Sequence, residues 1–159
     1  MNVMVVGCGS IGERHISNIL NLYPDFDLMA MDISPDRGEY IKKTYNINVF
    51  DNLLDAFSTD VDIYLICTPP NTHISLALRS IENGAHVFIE KPLSHNTDSI
   101  DDLIKKAAKN DLFIYVGYCF RFDQGLTFVK DLLNSEQLGP VYYAQASYGQ
   151  YLPEWRPCQ

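Results

Sequence analysis

The residues best suited to chemistry come first in the chain: Gly7-Cys8-Gly9-Ser10-Ile11-Gly12. Their glycine spacing is that of a loop that holds a diphosphate. Gly7 allows the tight turn, Gly9 lets a backbone approach a pyrophosphate, and Gly12 lets the next helix pack close to the preceding strand. A helix starting there offers N–H groups and the positive end of its dipole to an anion. Asp32 follows at the separation, about 20 residues, where a carboxylate takes the hydroxyls of an adenosine ribose. A carboxylate there repels a 2′-phosphate, which favours NAD and leaves NADP open. Arg37 can pair with a phosphate or stack on adenine; a solvated arginine at a helix start accounts for it equally.

The second signal is Glu90-Lys91-Pro92. A lysine at the end of a sheet strand, in the cleft where a cofactor lies, can hydrogen-bond a substrate hydroxyl and stabilise an alkoxide during hydride transfer. Pro92 fixes the backbone there and admits a cis bond. A surface lysine at a strand end is the plain alternative for the tripeptide alone. His15 reads as a packed or exposed helix residue. His73, at a helix start, offers its backbone N–H more than its ring. Cys8 faces either the cleft or the core.

Elements must hold these residues in place. Strands are expected at 2–6, 27–32, 46–50, 61–66, 86–89 and 112–116. Helices are expected at 10–22, from Ser34-Pro35 to about Tyr45, at 53–57 capped by Asp51, at 73–83 ending on Asn83-Gly84, and at 97–109. Strands alternating with helices imply an α/β fold, a doubly wound parallel sheet covered on both faces. Ligands of such sheets bind at the carboxyl ends of the strands. The unusual loops 7–12, 67–73, 90–92 and 117–121 all fall at such ends. The dinucleotide-binding domain is expected over 1–117. Residues 118–159 then read as a linker helix, about 124–134, and the opening strand of a second sheet, Val141 to Tyr148, rich in β-formers. That strand, with no partner after it, leads to the expectation that the chain is part of something longer.

The 159 residues suffice for one domain with a real core. The net charge of −8 argues against nonspecific nucleic-acid binding, which wants a basic face. No apolar run approaches the length of a membrane span, and the N-terminus runs directly into a strand. The four cysteines, at 8, 67, 119 and 158, form no CxxC or His/Cys cluster, so neither a metal site nor a disulfide framework is expected. A cytoplasmic setting follows. Exposed aromatic residues between Tyr142 and Trp155 point to a homo-oligomer.

Four segments together resemble the Gfo/Idh/MocA family of glucose–fructose oxidoreductase, inositol dehydrogenase and rhizopine-catabolism relatives. They are the glycine loop with Glu13-Arg14-His15; Cys67-Thr68-Pro69-Pro70-Asn71-Thr72-His73; Glu90-Lys91-Pro92; and Gly117-Tyr118 with Arg121-Phe122. The resemblance implies a Rossmann domain that binds a nicotinamide dinucleotide, followed by an α/β domain that carries substrate and mediates oligomers. It places Gly7, Gly9, Ser10, Ile11 and Gly12 at the pyrophosphate and Asp32 at the ribose. Thr68, Pro69, Asn71 and His73 would line the dinucleotide. Glu90 and Lys91 would sit at the nicotinamide, with Lys91 touching substrate. Arg121 and Trp155-Arg156 are similar to positions flanking cofactor or substrate. The family's Asp-x-x-x-His element is absent, and Asp123-Gln124 stands where His-Pro is common. The implied activity is oxidation of a sugar, sugar derivative or cyclic polyol. A nucleotide-binding module without catalysis is the alternative, and an S-adenosylmethionine-binding Rossmann fold would leave Glu90-Lys91-Pro92 without a role.

Overall fold

The computed structural model describes residues 1–135 and 137–149. The chain divides into two units, Met1–Tyr118 and Cys119–Gln159.

The first unit is a six-stranded sheet. Its strands are β1 (Asn2–Val6), β2 (Asp27–Met31), β3 (Asn48–Phe50), β4 (Ile63–Ile66), β5 (His86–Ile89) and β6 (Ile114–Val116). Every pairing is parallel, and the order is β3-β2-β1-β4-β5-β6. The crossovers are α1 (Ser10–Leu22), α2 (Pro35–Tyr45), α3 (Leu53–Phe57), α4 (His73–Glu82) and α5 (Ile100–Lys109). This is the doubly wound arrangement of the Rossmann fold.

Strand side chains alternate between faces, and two cores result. Met4, Val6, Met29, Met31, Tyr64, Ile66, Val87 and Ile89 pack with residues of α3, α4 and α5. Val3, Val5, Leu28, Ala30 and Leu65 pack with Ile16 of α1 and Ile41 of α2. A sheet buried on both faces needs unbroken apolar strands, which is what Val3-Met4-Val5-Val6 and Leu28-Met29-Ala30-Met31 supply. Among the described residues, no helix is long and apolar enough to cross a membrane.

Several boundaries differ from the sequence reading, each for a local reason. Strand β3 begins at 48 because Asn46 takes the left-handed conformation (φ 53°) that ends α2. Helix α3 is capped by Asn52, whose side chain accepts from Asp55 N at 2.9 Å, and not by Asp51. Helix α5 begins at 100, not 97. The Asn96 side chain accepts from Asp98 N at 3.2 Å and donates to the Asp98 carboxylate at 2.7 Å, a turn that competes with helix. Strand β6 begins at 114, after Asp111 (φ 55°) has turned the chain.

The second unit opens with a 3₁₀ turn, Cys119–Phe122, and continues into α6 (Gln124–Asn134). Asp123 caps α6, accepting from Leu126 N at 3.0 Å. The strand expected over Val141–Tyr148 is not formed: these residues carry no regular secondary structure and are exposed. β-formers make a strand only with a ladder partner, and no described strand pairs with this segment. The Trp155-Arg156 pair lies outside the described residues.

Candidate dinucleotide site

Parallel strands put all their carboxyl ends on one edge of the sheet. The sheet order reverses between β1 and β4, and there the glycine loop stands. Gly7 has φ +90°, and a Cβ on it would lie 2.9 Å from Thr68 Cγ2 and 3.0 Å from the Cys67 carbonyl. Only glycine fits both the angle and the gap. A Cβ on Gly12 would stand 2.0 Å from the Gly7 oxygen, so α1 rests directly on the turn. Gly9 is different. A Cβ there would meet nothing within 4 Å, and its backbone (φ −60°, ψ −172°) suits any residue. Its bare side therefore faces open space.

Gly9 is also the N-cap of α1, and no side chain caps that helix start. Ser10 and Ile11 begin the helix, with Ser10 exposed. The outward N–H groups of a first turn have no intrahelical acceptor. An uncapped helix start behind an open glycine is a cradle that fits a diphosphate.

Asp32 closes one side of this cradle. Its Oδ2 accepts from Cys8 N at 2.7 Å and its Oδ1 from Ser34 N at 2.8 Å. A carboxylate has about four lone-pair sites, so Asp32 keeps acceptors for a ribose diol while it shapes the loop. Arg37 braces the same residue from the other end. Its Nε donates to the Cys8 carbonyl, another of its nitrogens donates to Glu13, and its guanidinium lies over Tyr40. Glu13 also accepts from Tyr40 and Tyr45 hydroxyls at 3.1 and 3.0 Å. The Arg37 guanidinium beside it, helped by these phenols, holds the Glu13 carboxyl below its usual range. In this structure Arg37 is thus committed to the loop and to α1.

Cys8 itself faces the core, with its Sγ 3.6 Å from the Met31 oxygen. Burial, then the Asp32 charge, pushes its thiol up to about 12, and burial raises the Cys67 thiol as well. Both are free, neutral and buried, and a neutral thiol is a poor nucleophile.

The loop after β4 faces the glycine turn. Thr68 and Thr72 share a hydroxyl hydrogen bond of 2.7 Å. Pro69 leads into a 3₁₀ turn, Pro70–Thr72, on which Asn71 is exposed. His73 is buried. Its Nε2 lies 2.7 Å from the Thr68 oxygen and its Nδ1 2.9 Å from the Pro92 oxygen. Main-chain carbonyls occupy both ring nitrogens, so the ring joins two loops and offers no nitrogen to a ligand.

The loop after β5 carries Glu90, Lys91 and Pro92, with the Lys91–Pro92 bond cis. Glu90 is only 8% exposed. Its Oε1 lies 2.8 Å from His15 Nε2, and its Oε2 accepts from Lys91 N at 3.1 Å. Lys91 is exposed, and no carboxylate among the described residues pairs with its ammonium. Gly117, at the end of β6, packs so closely that a Cβ on it would be 3.0 Å from Phe88 Cζ and 3.2 Å from Glu90 Oε1. Arg121 belongs to the second unit, on the turn after Tyr118, and is exposed.

The structure therefore gathers the glycine loop, Asp32, Thr68, Pro69, Asn71, Glu90 and Lys91 at one edge. Sequence reasoning missed His15, which reaches Glu90 from α1, and Glu13, which ties α1 to α2. Both are pairings across 24 or more positions, and no local pattern marks them. The adjoining Glu13-Arg14-His15 motif was the one available signal. An apolar hollow of about 390 Å³ lies away from this edge, among Val3, Ile63, His86, Phe113 and their neighbours. Val3, Ile63 and His86 lie toward the amino ends of their strands, and the lining is mostly apolar.

The chain is 31% identical to myo-inositol 2-dehydrogenase of Thermotoga maritima over 142 residues, which cover 87% of this chain and 42% of the relative. It superposes on scyllo-inositol dehydrogenase from Lactobacillus casei with bound NAD(H) and scyllo-inositol (TM-score 0.80, 26% identity, covering 87% of this chain and 42% of that one). It also superposes on the WlbA dehydrogenase from Chromobacterium violaceum in complex with NADH and UDP-GlcNAcA (TM-score 0.82, 24% identity, covering 89% and 42%), a likeness of fold. The chain thus spans less than half the length of the proteins it matches. The family model for the GFO_IDH_MocA oxidoreductases, with their NAD-binding Rossmann fold, matches residues 1–118. Residues 1–118 and the edge they build make this chain a member of the Gfo/Idh/MocA oxidoreductase family, whose Rossmann domain binds NAD.

Proposed function

We propose that the chain is the cofactor-binding part of an NAD-dependent dehydrogenase acting on a sugar, a sugar derivative or a cyclic polyol. The observation that carries this reading is the open face of Gly9 at the uncapped start of α1, beside the Asp32 carboxylate. Gly7, Gly9, Ser10, Ile11 and Gly12 would hold the diphosphate, and Asp32 the adenosine ribose. Thr68, Pro69 and Asn71 would line the path to the loop after β5. The Asp32 carboxylate disfavours a 2′-phosphate, and the commitment of Arg37 to Glu13 withdraws a cation that would welcome one. Both favour NAD over NADP.

NAD, when bound, supplies the hydride acceptor. Lys91 would act on the substrate oxygen: its ammonium would donate a hydrogen bond and steady the negative charge left there as the hydroxyl proton passes to water and the hydride leaves carbon. The inositol and sugar-nucleotide ligands named for the matched proteins support an alcohol of this class.

A second reading, a dinucleotide-binding module without catalysis, rests on one observation. Glu90, the carboxylate beside Lys91, is only 8% exposed, and each of its oxygens already holds a group of the fold, His15 Nε2 and Lys91 N, so its place is that of a structural anchor. Binding and turnover separate the two. NADH fluorescence measures binding, with S-adenosylmethionine as competitor, and NAD-linked oxidation of a panel of inositols and sugars measures turnover. NADH binding with turnover supports the dehydrogenase, and NADH binding alone supports the module. Preferential binding of S-adenosylmethionine contradicts both. In a longer form of the protein, Lys91→Ala is expected to lower turnover far more than NADH affinity.

The exposed Phe128, Val129 and Tyr142 support self-association as a homo-oligomer, which light scattering tests. The free thiols and the net charge of −8 support a cytoplasmic protein without nucleic-acid or membrane partners.

A further inference from the structure

Lys91 sits between two residues that other elements hold. On one side, Glu90 is buried and its Oε1 takes His15 Nε2 at 2.8 Å, from the second turn of α1. The other oxygen of the same carboxylate accepts the Lys91 main-chain N–H at 3.1 Å. On the other side, His73 Nδ1 lies 2.9 Å from the Pro92 oxygen, and Nε2 of the same ring lies 2.7 Å from Thr68 O. His15 is placed in turn by Phe88, its ring edge-on at 5.2 Å. Gly117 leaves Glu90 just enough room. Neither histidine lies on a strand, yet both turn a ring nitrogen to this one tripeptide.

We infer that His15 and His73 are positioning residues that pin Glu90-Lys91-Pro92 at both ends and so hold the main chain of this loop against the nicotinamide end of the site. The inference rests on the dinucleotide reading above. His15 lies on the helix whose start is the diphosphate cradle, so the pin gives the two ends of the cofactor a common frame. A loop held by hydrogen bonds on both flanks loses less freedom when it meets a ligand.

The test compares two ligands of the full chain: NADH, and ADP-ribose, which lacks only the nicotinamide. His15→Phe keeps a ring against Phe88 and removes the donor. It is expected to weaken NADH at least fivefold and leave ADP-ribose within twofold. His15→Gln, which keeps an N–H near the Nε2 position, is expected to restore NADH binding. Hydrogen exchange in the ligand-free chain reads the pin itself: the Lys91 amide is expected to exchange at least tenfold faster in His15→Phe, with β1 amides unchanged. His73→Leu is expected to reproduce the selective NADH loss. Should it fail to fold, His73→Asn, which keeps a donor toward Pro92 O, supplies the comparison and is expected to retain NADH binding.

Equal loss of both ligands in His15→Phe, or no loss of either, overturns the pin. So does unchanged Lys91 exchange. If wild type binds neither ligand, the dinucleotide reading falls, while the exchange experiment still decides whether His15 holds Lys91.

Discussion

Helices α1 and α2 leave the carboxyl ends of adjacent strands, pack on the same face of the sheet, and begin in opposite ways. Helix α2 is closed by its own residues: Ser34 Oγ accepts from Arg37 N at 3.4 Å, and Pro35 occupies the first position, where no N–H is needed. Helix α1 begins at Gly9, with no side-chain cap and open space before it. The neighbouring side chains are turned to other work. Asp32 holds Cys8 N from the side, and Arg37 holds the Cys8 carbonyl. The difference teaches that the α1 start is held open by the structure around it. A helix end left without partners is a site for an anion when its surroundings are rigid.

The comparison can be broken at its foundation. Gly12→Ala puts a methyl 2.0 Å from the Gly7 oxygen. Backbone meets backbone there, so α1 must move. A loss of about 3 kcal/mol in urea unfolding is expected, with NADH binding abolished. Asp32→Ala is next. It removes both the ribose acceptor and the group that orients Cys8 N, and NADH affinity is expected to fall more than tenfold, or about 1.4 kcal/mol, by fluorescence titration. An unchanged Kd would remove Asp32 from the site.

A smaller effect lies between the two helices. Glu13 titrates below its ordinary value of 4.5 because it accepts from Arg37 and two tyrosines. A lowered folded-state pKa means that the contribution is present above the ordinary carboxylate range and lost as pH falls through the folded value. Glu13→Gln is therefore expected to flatten the acid side of the stability curve below pH 4.5, by less than about 1 kcal/mol for so open a site. Urea unfolding at pH 7 and below pH 4 reads the slope. The smallest change is Ser34→Ala, expected to lower stability by about 0.5 kcal/mol through a weakened cap, with NADH affinity within twofold of wild type.

Much of this was legible in the sequence, and the limits have physical reasons. The apolar run before Gly7, the glycine spacing and Asp32 are local patterns, and the six parallel strands follow from the alternation of strand and helix. Ser34 and Gly84 mark helix ends because capping is local chemistry. Pairings set by the fold were not legible. The ring of His73 belongs to two main-chain carbonyls, one of them 19 positions away, and His15 reaches Glu90 across 75. Arg37 offered a phosphate partner in sequence and meets Glu13 in space. The aromatic segment Val141–Tyr148 has the composition of a strand but no described partner, and composition alone does not make a ladder.

The account rests most directly on Gly9. Its backbone suits alanine, and an added methyl meets nothing in the chain. The weaker cap and the reduced freedom of the unfolded chain offset each other to within about 1 kcal/mol. Gly9→Ala is thus expected to unfold in urea nearly as wild type does while binding NADH at least tenfold more weakly, because the methyl stands where the diphosphate must lie. An alanine variant that folds normally and binds NADH with wild-type affinity would contradict the placement of the diphosphate at the start of α1.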